Sequence, residues 1–142
     1  MIIRALLSTL TLWVNLSLAA SNEDMVIVAH ASVSDQTISR SFARQLFSMK
    51  ARQWPDGAPT VVYVLPDHSP YHLRFVKAIL GTFPYKLRAA WDRQVYSGTG
   101  QAPREVADLT QMVRLIASTP GAMGYAPRQS IDGTSMHIVE VR

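Results

Sequence analysis

The sequence contains no cysteine. That absence removes disulfides, thiolate metal sites, cysteine nucleophiles and a lipid-anchored N-terminal cysteine together. Charge is sparse as well. In 142 residues, 14 Lys and Arg stand against 10 Asp and Glu, and the arginines are scattered singly along the chain. With no basic run and no interleaved aromatics, the pattern excludes a nucleic-acid partner and supports only weak steering of anions. Catalytic signatures are missing too: there is no G-x-S-x-G, no H-E-x-x-H and no spaced pair of carboxylates. The chain reads as non-enzymatic, with no cofactor. His68 and His72 have a spacing known from helical zinc sites, but Pro70 starts a helix between them and no third ligand is evident, so no metal is expected. Ser97-Gly98-Thr99-Gly100 follows a helix instead of leading from a strand into one, which makes it a helix stop and not a phosphate-binding loop.

What is present begins with an address. Arg4 is the only charge before Glu23, and an apolar run from Ala5 to Leu18 ends in Ala19-Ala20-Ser21. A basic start, an apolar middle and a small-residue exit predict a secretory signal peptide over residues 1–21, cut after Ala19 or after Ser21. An uncleaved anchor fits less well, because Ser8, Thr9, Thr11 and Asn15 interrupt a run already short of the ~20 apolar residues a spanning helix needs. The expected location is the periplasm.

Residues 25–142 read as one domain without repeats or linkers. Apolar, β-branched runs predict strands at Met25 to His30 and Thr60 to Leu65, with shorter ones at Ala122 to Ala126 and Met136 to Val141. Ser39 caps a helix reaching Ser48. Ser69-Pro70 starts another, with Leu73, Val76, Ile79 and Leu80 as its stripe and Gly81 as its stop. Pro84 opens a third, with Leu87, Trp91 and Val95 spaced by four, and Asp108 with Gln111 forms a capping-box pair before a fourth. This order predicts an α/β domain whose mainly parallel or mixed sheet is flanked by helices. In such sheets ligands sit beyond the carboxyl ends of strands, which selects Leu65 to His72.

Leu46-Phe47…Lys50…Trp54-Pro55-Asp56-Gly57 resembles the "F-x-G-K…W-x-D-G" stretch of periplasmic phosphate-binding proteins of ABC transporters. Three further features follow in the same order: a strand leading to Asp67-His68-Ser69, a helix containing Phe75, and Thr119-Pro120-Gly121-Ala122-Met123-Gly124-Tyr125. The resemblance implies a single lobe of the type II periplasmic-binding-protein fold over residues 25–142. It also implies a phosphate or related oxyanion ligand and a membrane transporter or sensor as partner. The family's phosphate loop, "R-x-D-x-S-G-T", places its Asp on Asp67 and its Ser on Ser69. Its Arg falls on Leu65, its Gly on Pro70, its Thr on Tyr71, and the glycine of "F-x-G" on Met49.

The expected anion site therefore comprises Asp67, Ser69, the N–H groups of Tyr71 and His72, and Arg74 as a substitute for the lost arginine; Arg40 is a second substitute. Ser69 has a competing role as a helix cap. Two functions stay open at this level: a compact solute-binding protein, or a degenerate lobe reused as an interaction or sensory module. A homodimer that restores a second wall is compatible with both.

Overall fold

The computed structural model describes residues 24–131 and 135–142. The expected signal peptide over residues 1–21 lies outside the described residues. A six-stranded mixed sheet forms the centre, in the order β2-β6-β1-β5-β3-β4. Its strands are β1 (Met25–His30), β2 (Thr37–Ile38), β3 (Val61–Val64), β4 (Arg104–Glu105), β5 (Ala122–Pro127) and β6 (Met136–Val141). β1 runs antiparallel to both neighbours, with Ile27 opposite Tyr125 on one side and Val139 on the other. The β2–β6, β3–β4 and β3–β5 pairs are parallel.

The helices begin where the local chemistry predicts. α1 (Arg40–Phe47) is capped by the Ser39 hydroxyl, which accepts the Phe42 N–H at 3.1 Å. α2 (Pro70–Phe75) and α3 (Pro84–Tyr96) each open with proline at the first turn. α4 (Leu109–Ser118) is capped by Asp108, which accepts the Gln111 N–H at 2.9 Å. Gln111 in turn accepts the Ala107 N–H at 2.7 Å, so the capping box closes one residue further back than the usual pattern.

Two expected stripes are corrected. α2 continues into a π-helical turn, Val76–Leu80, and its buried residues are His72, Phe75, Val76 and Leu80. Leu73 is exposed and Ile79 only partly buried. An unbroken α-helix would carry that face on to Ile79; the wider π turn passes it to Leu80 instead. Val95 is also exposed. On the last turn of α3 it is Gln94 that reaches inward, donating to the Ser48 carbonyl at 2.7 Å.

Adjacent β5 residues assign the two layers. Tyr125 stacks on Phe75 at a ring separation of 4.1 Å, and Phe75 meets Phe47 edge-on at 4.8 Å. A Cβ on Gly124 would fall 2.4 Å from Met112 Sδ and 2.8 Å from Ile116 Cδ1. Thus α1, α2 and α3 cover one face of the sheet and α4 the other. Trp54 and Trp91 are packing residues as expected: their indoles are buried and donate to the Gly121 and Phe47 carbonyls at 3.1 and 2.8 Å. Met49, at the family's glycine position, is the only non-glycine among the described residues with positive φ, +66°. A side chain there carries about 1 kcal/mol of backbone strain that glycine avoids.

Candidate functional site

β3 and β4 end side by side, and each hands the chain to a helix. From β3 the chain turns at Pro66, where the Ser69 N–H donates to the Pro66 carbonyl at 2.9 Å, and enters α2. From β4 it passes Ala107 and enters α4. The two helix starts border an open cleft of about 470 Å³ whose lining includes Leu65, His68, Ser69, Tyr71, Asp108 and Thr110. First-turn N–H groups have no acceptor inside their own helix, and the positive ends of both helix dipoles lie at this cleft.

Ser69 occupies the N-cap position of α2, but its hydroxyl makes no bond to the first turn. The expected capping role is thus not filled by the side chain. The backbone has already closed the turn through the Ser69 N–H and through its carbonyl, which accepts the Leu73 N–H at 3.1 Å. Tyr71 lines the cleft, and Arg74 lies over its ring at 5.7 Å. Arg74 itself borders a different depression with Pro70, Leu73 and Lys77, outside the cleft. Arg40 is also remote, close to Gly81.

The charged group at Asp67 is one that sequence reasoning missed. Arg88, on α3, clamps the Asp67 carboxylate with two bonds, Nε to Oδ2 at 2.9 Å and Nη2 to Oδ1 at 3.1 Å. The hydrogen bond that Arg88 donates to Asp67 raises the Arg88 pKa further above its usual value. The guanidinium lies 5.0 Å from the Trp91 ring centre and 3.8 Å from Glu105 Oε2 on β4. Asp67 thus spends its charge on the scaffold, tying the loop after β3 to α3.

Behind the cleft floor lies a buried polar chain. The Leu65 N–H donates to the Tyr125 hydroxyl at 2.8 Å, and that hydroxyl bonds His72 Nδ1 at 2.5 Å. The Asp67 carboxylate on the Nε2 side favours the tautomer that carries its proton on Nε2, in which the phenol donates to Nδ1. Nε2 has no hydrogen-bond partner, and Asp67 Oδ1 lies 3.8 Å from it. His72 is fully buried. Desolvation by burial holds its pKa below the usual 6.5, Asp67 opposing this and Arg88 reinforcing it. Burial likewise raises the Tyr125 phenol, so it stays protonated. His72 therefore contributes its backbone N–H to the helix start, while its ring braces the floor. Among the described residues no group of three His, Asp or Glu is placed to hold a metal ion.

No protein-family model matches the sequence, and no curated protein matches it. Solved structures do match. An ABC-type phosphate transport receptor from Vibrio cholerae superposes with a TM-score of 0.63 at 12% identity, over 82% of this chain and 45% of that one. A phosphate ABC transporter substrate-binding protein from Clostridium perfringens, solved with bound phosphate, gives 0.66 at 16% identity, over 82% and 44%. The fold is that of a single periplasmic-binding-protein-like lobe. PstS from Borrelia burgdorferi agrees, with 0.63 at 9% identity over 83% of this chain and 47% of that one. The chain thus spans less than half the length of these solved proteins. No helix among the described residues is long and apolar enough to cross a membrane.

Proposed function

We propose that this lobe is a compact solute-binding protein that takes phosphate or a related oxyanion in the cleft between α2 and α4. One observation carries the reading: two helix starts border the same cleft, the first turn of α2 has no side-chain cap, and the Ser69 hydroxyl there is uncommitted. The Asp67–Arg88 clamp supports it, because it neutralises the carboxylate nearest the α2 turn. The likeness to a protein solved with bound phosphate supports it further. Leu65 supplies no guanidinium and Pro70 no N–H, so binding rests on backbone donors and one hydroxyl.

The test is a calorimetric titration of refolded mature protein with phosphate, with sulfate as a control. Phosphate is expected to bind saturably, and Ser69→Ala to weaken it about tenfold, the worth of one hydrogen bond to a charged group. Heatless titration at millimolar phosphate, or an unchanged affinity in Ser69→Ala, would remove the site.

The proposal includes export. Residues 1–21 act as a cleaved signal peptide, residues 25–142 form the periplasmic domain, and a membrane transporter component receives the cargo. Intact mass of the protein from a periplasmic fraction is expected to show a chain beginning at Ala20 or Asn22. Retention of Met1 in that fraction would refute cleavage.

A second reading is favoured by the single wall of the cleft and by Asp108, whose carboxylate sits at the rim where an anion would approach. On that reading the lobe is an interaction module for a sensor, or for its own second copy. Light scattering of the purified protein, with and without phosphate, separates the two: a dimer formed only with ligand favours a shared cleft.

A further inference from the structure

A second concave surface lies between α1 and α3, away from the cleft. This groove of about 460 Å³ is lined by four basic side chains, Arg44, Lys50, Lys86 and Arg93, and by no acidic one. None of the four forms an ion pair among the described residues, in contrast to Arg88 and Arg128, which both do. α1 contains no carboxylate. The one carboxylate on α3, Asp92, acts on Arg88 instead.

The groove is also partly rigid. The Arg44 Nε donates to the Leu80 carbonyl at 2.5 Å, which fixes the guanidinium at the end of the π-helical turn. Gly81 leaves the space this requires: a Cβ there would fall 3.0 Å from Arg44 Nη2 and 3.5 Å from Arg40 Nη1. A fifth cation, Arg40, therefore stands at the same corner. Gathering like charges in a concavity costs free energy through mutual repulsion.

We infer that the groove binds a compact, soluble oxyanion carrying two or three linked phosphoryl groups. Several negative charges on a short ligand match several cations that line one groove from α1, the segment just after it and α3, whereas a single orthophosphate would satisfy only one or two of them. Concavity favours such a ligand over a flat lipid surface. The site is separate from the α2–α4 cleft, and it stands whether or not that cleft binds phosphate.

Tripolyphosphate is the probe, titrated into the mature protein at low salt. Lys86→Gln with Arg93→Gln is the informative pair, because both side chains are exposed and neither holds the fold as Arg44 does. Wild-type protein is expected to bind tripolyphosphate, the double variant to lose about tenfold or more in affinity, and Ser69→Ala to leave it unchanged. Raising ionic strength from about 0.05 M to 0.5 M is expected to weaken binding steeply. Equal affinity in the double variant, or loss of binding in Ser69→Ala, would overturn the inference. Binding to phosphatidylglycerol vesicles without binding to tripolyphosphate would overturn it as well, in favour of membrane contact. Matching thermal unfolding of the double variant and wild type shows that the fold is intact.

Discussion

Gly121→Ala is expected to destabilise the protein by more than ~3 kcal/mol, the range reserved for changes the fold cannot absorb. Gly121 has a φ of +76°, where an L side chain costs about 1–2 kcal/mol on its own. The larger effect is a collision. A Cβ at this position would lie 2.4 Å from the Pro59 carbonyl oxygen, which is backbone and has no rotamer to change. Moving the Gly121 backbone aside would strain three bonds at once. Its carbonyl accepts the Trp54 indole and the Val61 N–H, both at 3.1 Å, and its N–H donates to the Ser32 hydroxyl at 3.0 Å. Gly98→Ala is the control, since Gly98 has a φ of +69° with nothing within 4 Å of an added Cβ. It should lose only about 1 kcal/mol in urea denaturation. Equal losses in the two variants would show that the Pro59 contact is harmless.

Tyr125→Phe should cost about 2 kcal/mol and lower the melting temperature by about 8 °C. The phenyl ring keeps its stack on Phe75, but two buried groups lose their partner: the Leu65 N–H and His72 Nδ1. A loss below about 0.5 kcal/mol would mean that water or a neighbour replaces the hydroxyl.

The same chain predicts a pH dependence. The folded-state pKa of His72 lies below its unfolded value near 6.5, so between the two the unfolded chain binds more protons. Stability from this group is therefore complete above pH 6.5 and is lost as pH falls towards the folded-state value. His72→Asn keeps an acceptor for the Tyr125 hydroxyl and removes the titration. Its stability should vary less between about pH 7 and 5 than that of the wild type. An identical slope in both proteins would assign the acid sensitivity to another group.

Much of this architecture was legible because its signals are local. The apolar runs of β1, β3, β5 and β6, the caps at Ser39 and Asp108, and the prolines opening α2 and α3 each act within a few residues. β2 and β4 were not legible. Thr37-Ile38 and Arg104-Glu105 have no period to detect, and they are strands only because β6 and β3 offer them partners. The inward face of α2 runs through His72, Phe75 and Val76 and leaves Leu73 exposed, and the π turn that follows passes it to Leu80.

The turn at Asp67 and Ser69 was read from its motif, but its charge partner was not. Arg88 stands 21 residues downstream on another helix, and no spacing rule links it to Asp67. The basic groove was hidden for the same reason. Arg44, Lys50, Lys86 and Arg93 are isolated in sequence and meet only when α1 packs beside α3.

The position of β1 has a consequence for when the sheet can form. This strand, though early in sequence, lies in the middle of the sheet, and both its neighbours, β5 and β6, come from residues beyond 120. Its hydrogen bonds therefore close loops of roughly a hundred residues, the kind of pairing that forms slowly. A growing chain cannot complete the centre of its sheet until almost all of it has been synthesised. Until then the apolar β1 segment stays without its partners. Late closure of the sheet means that the centre of the lobe is among the last parts of it to be completed.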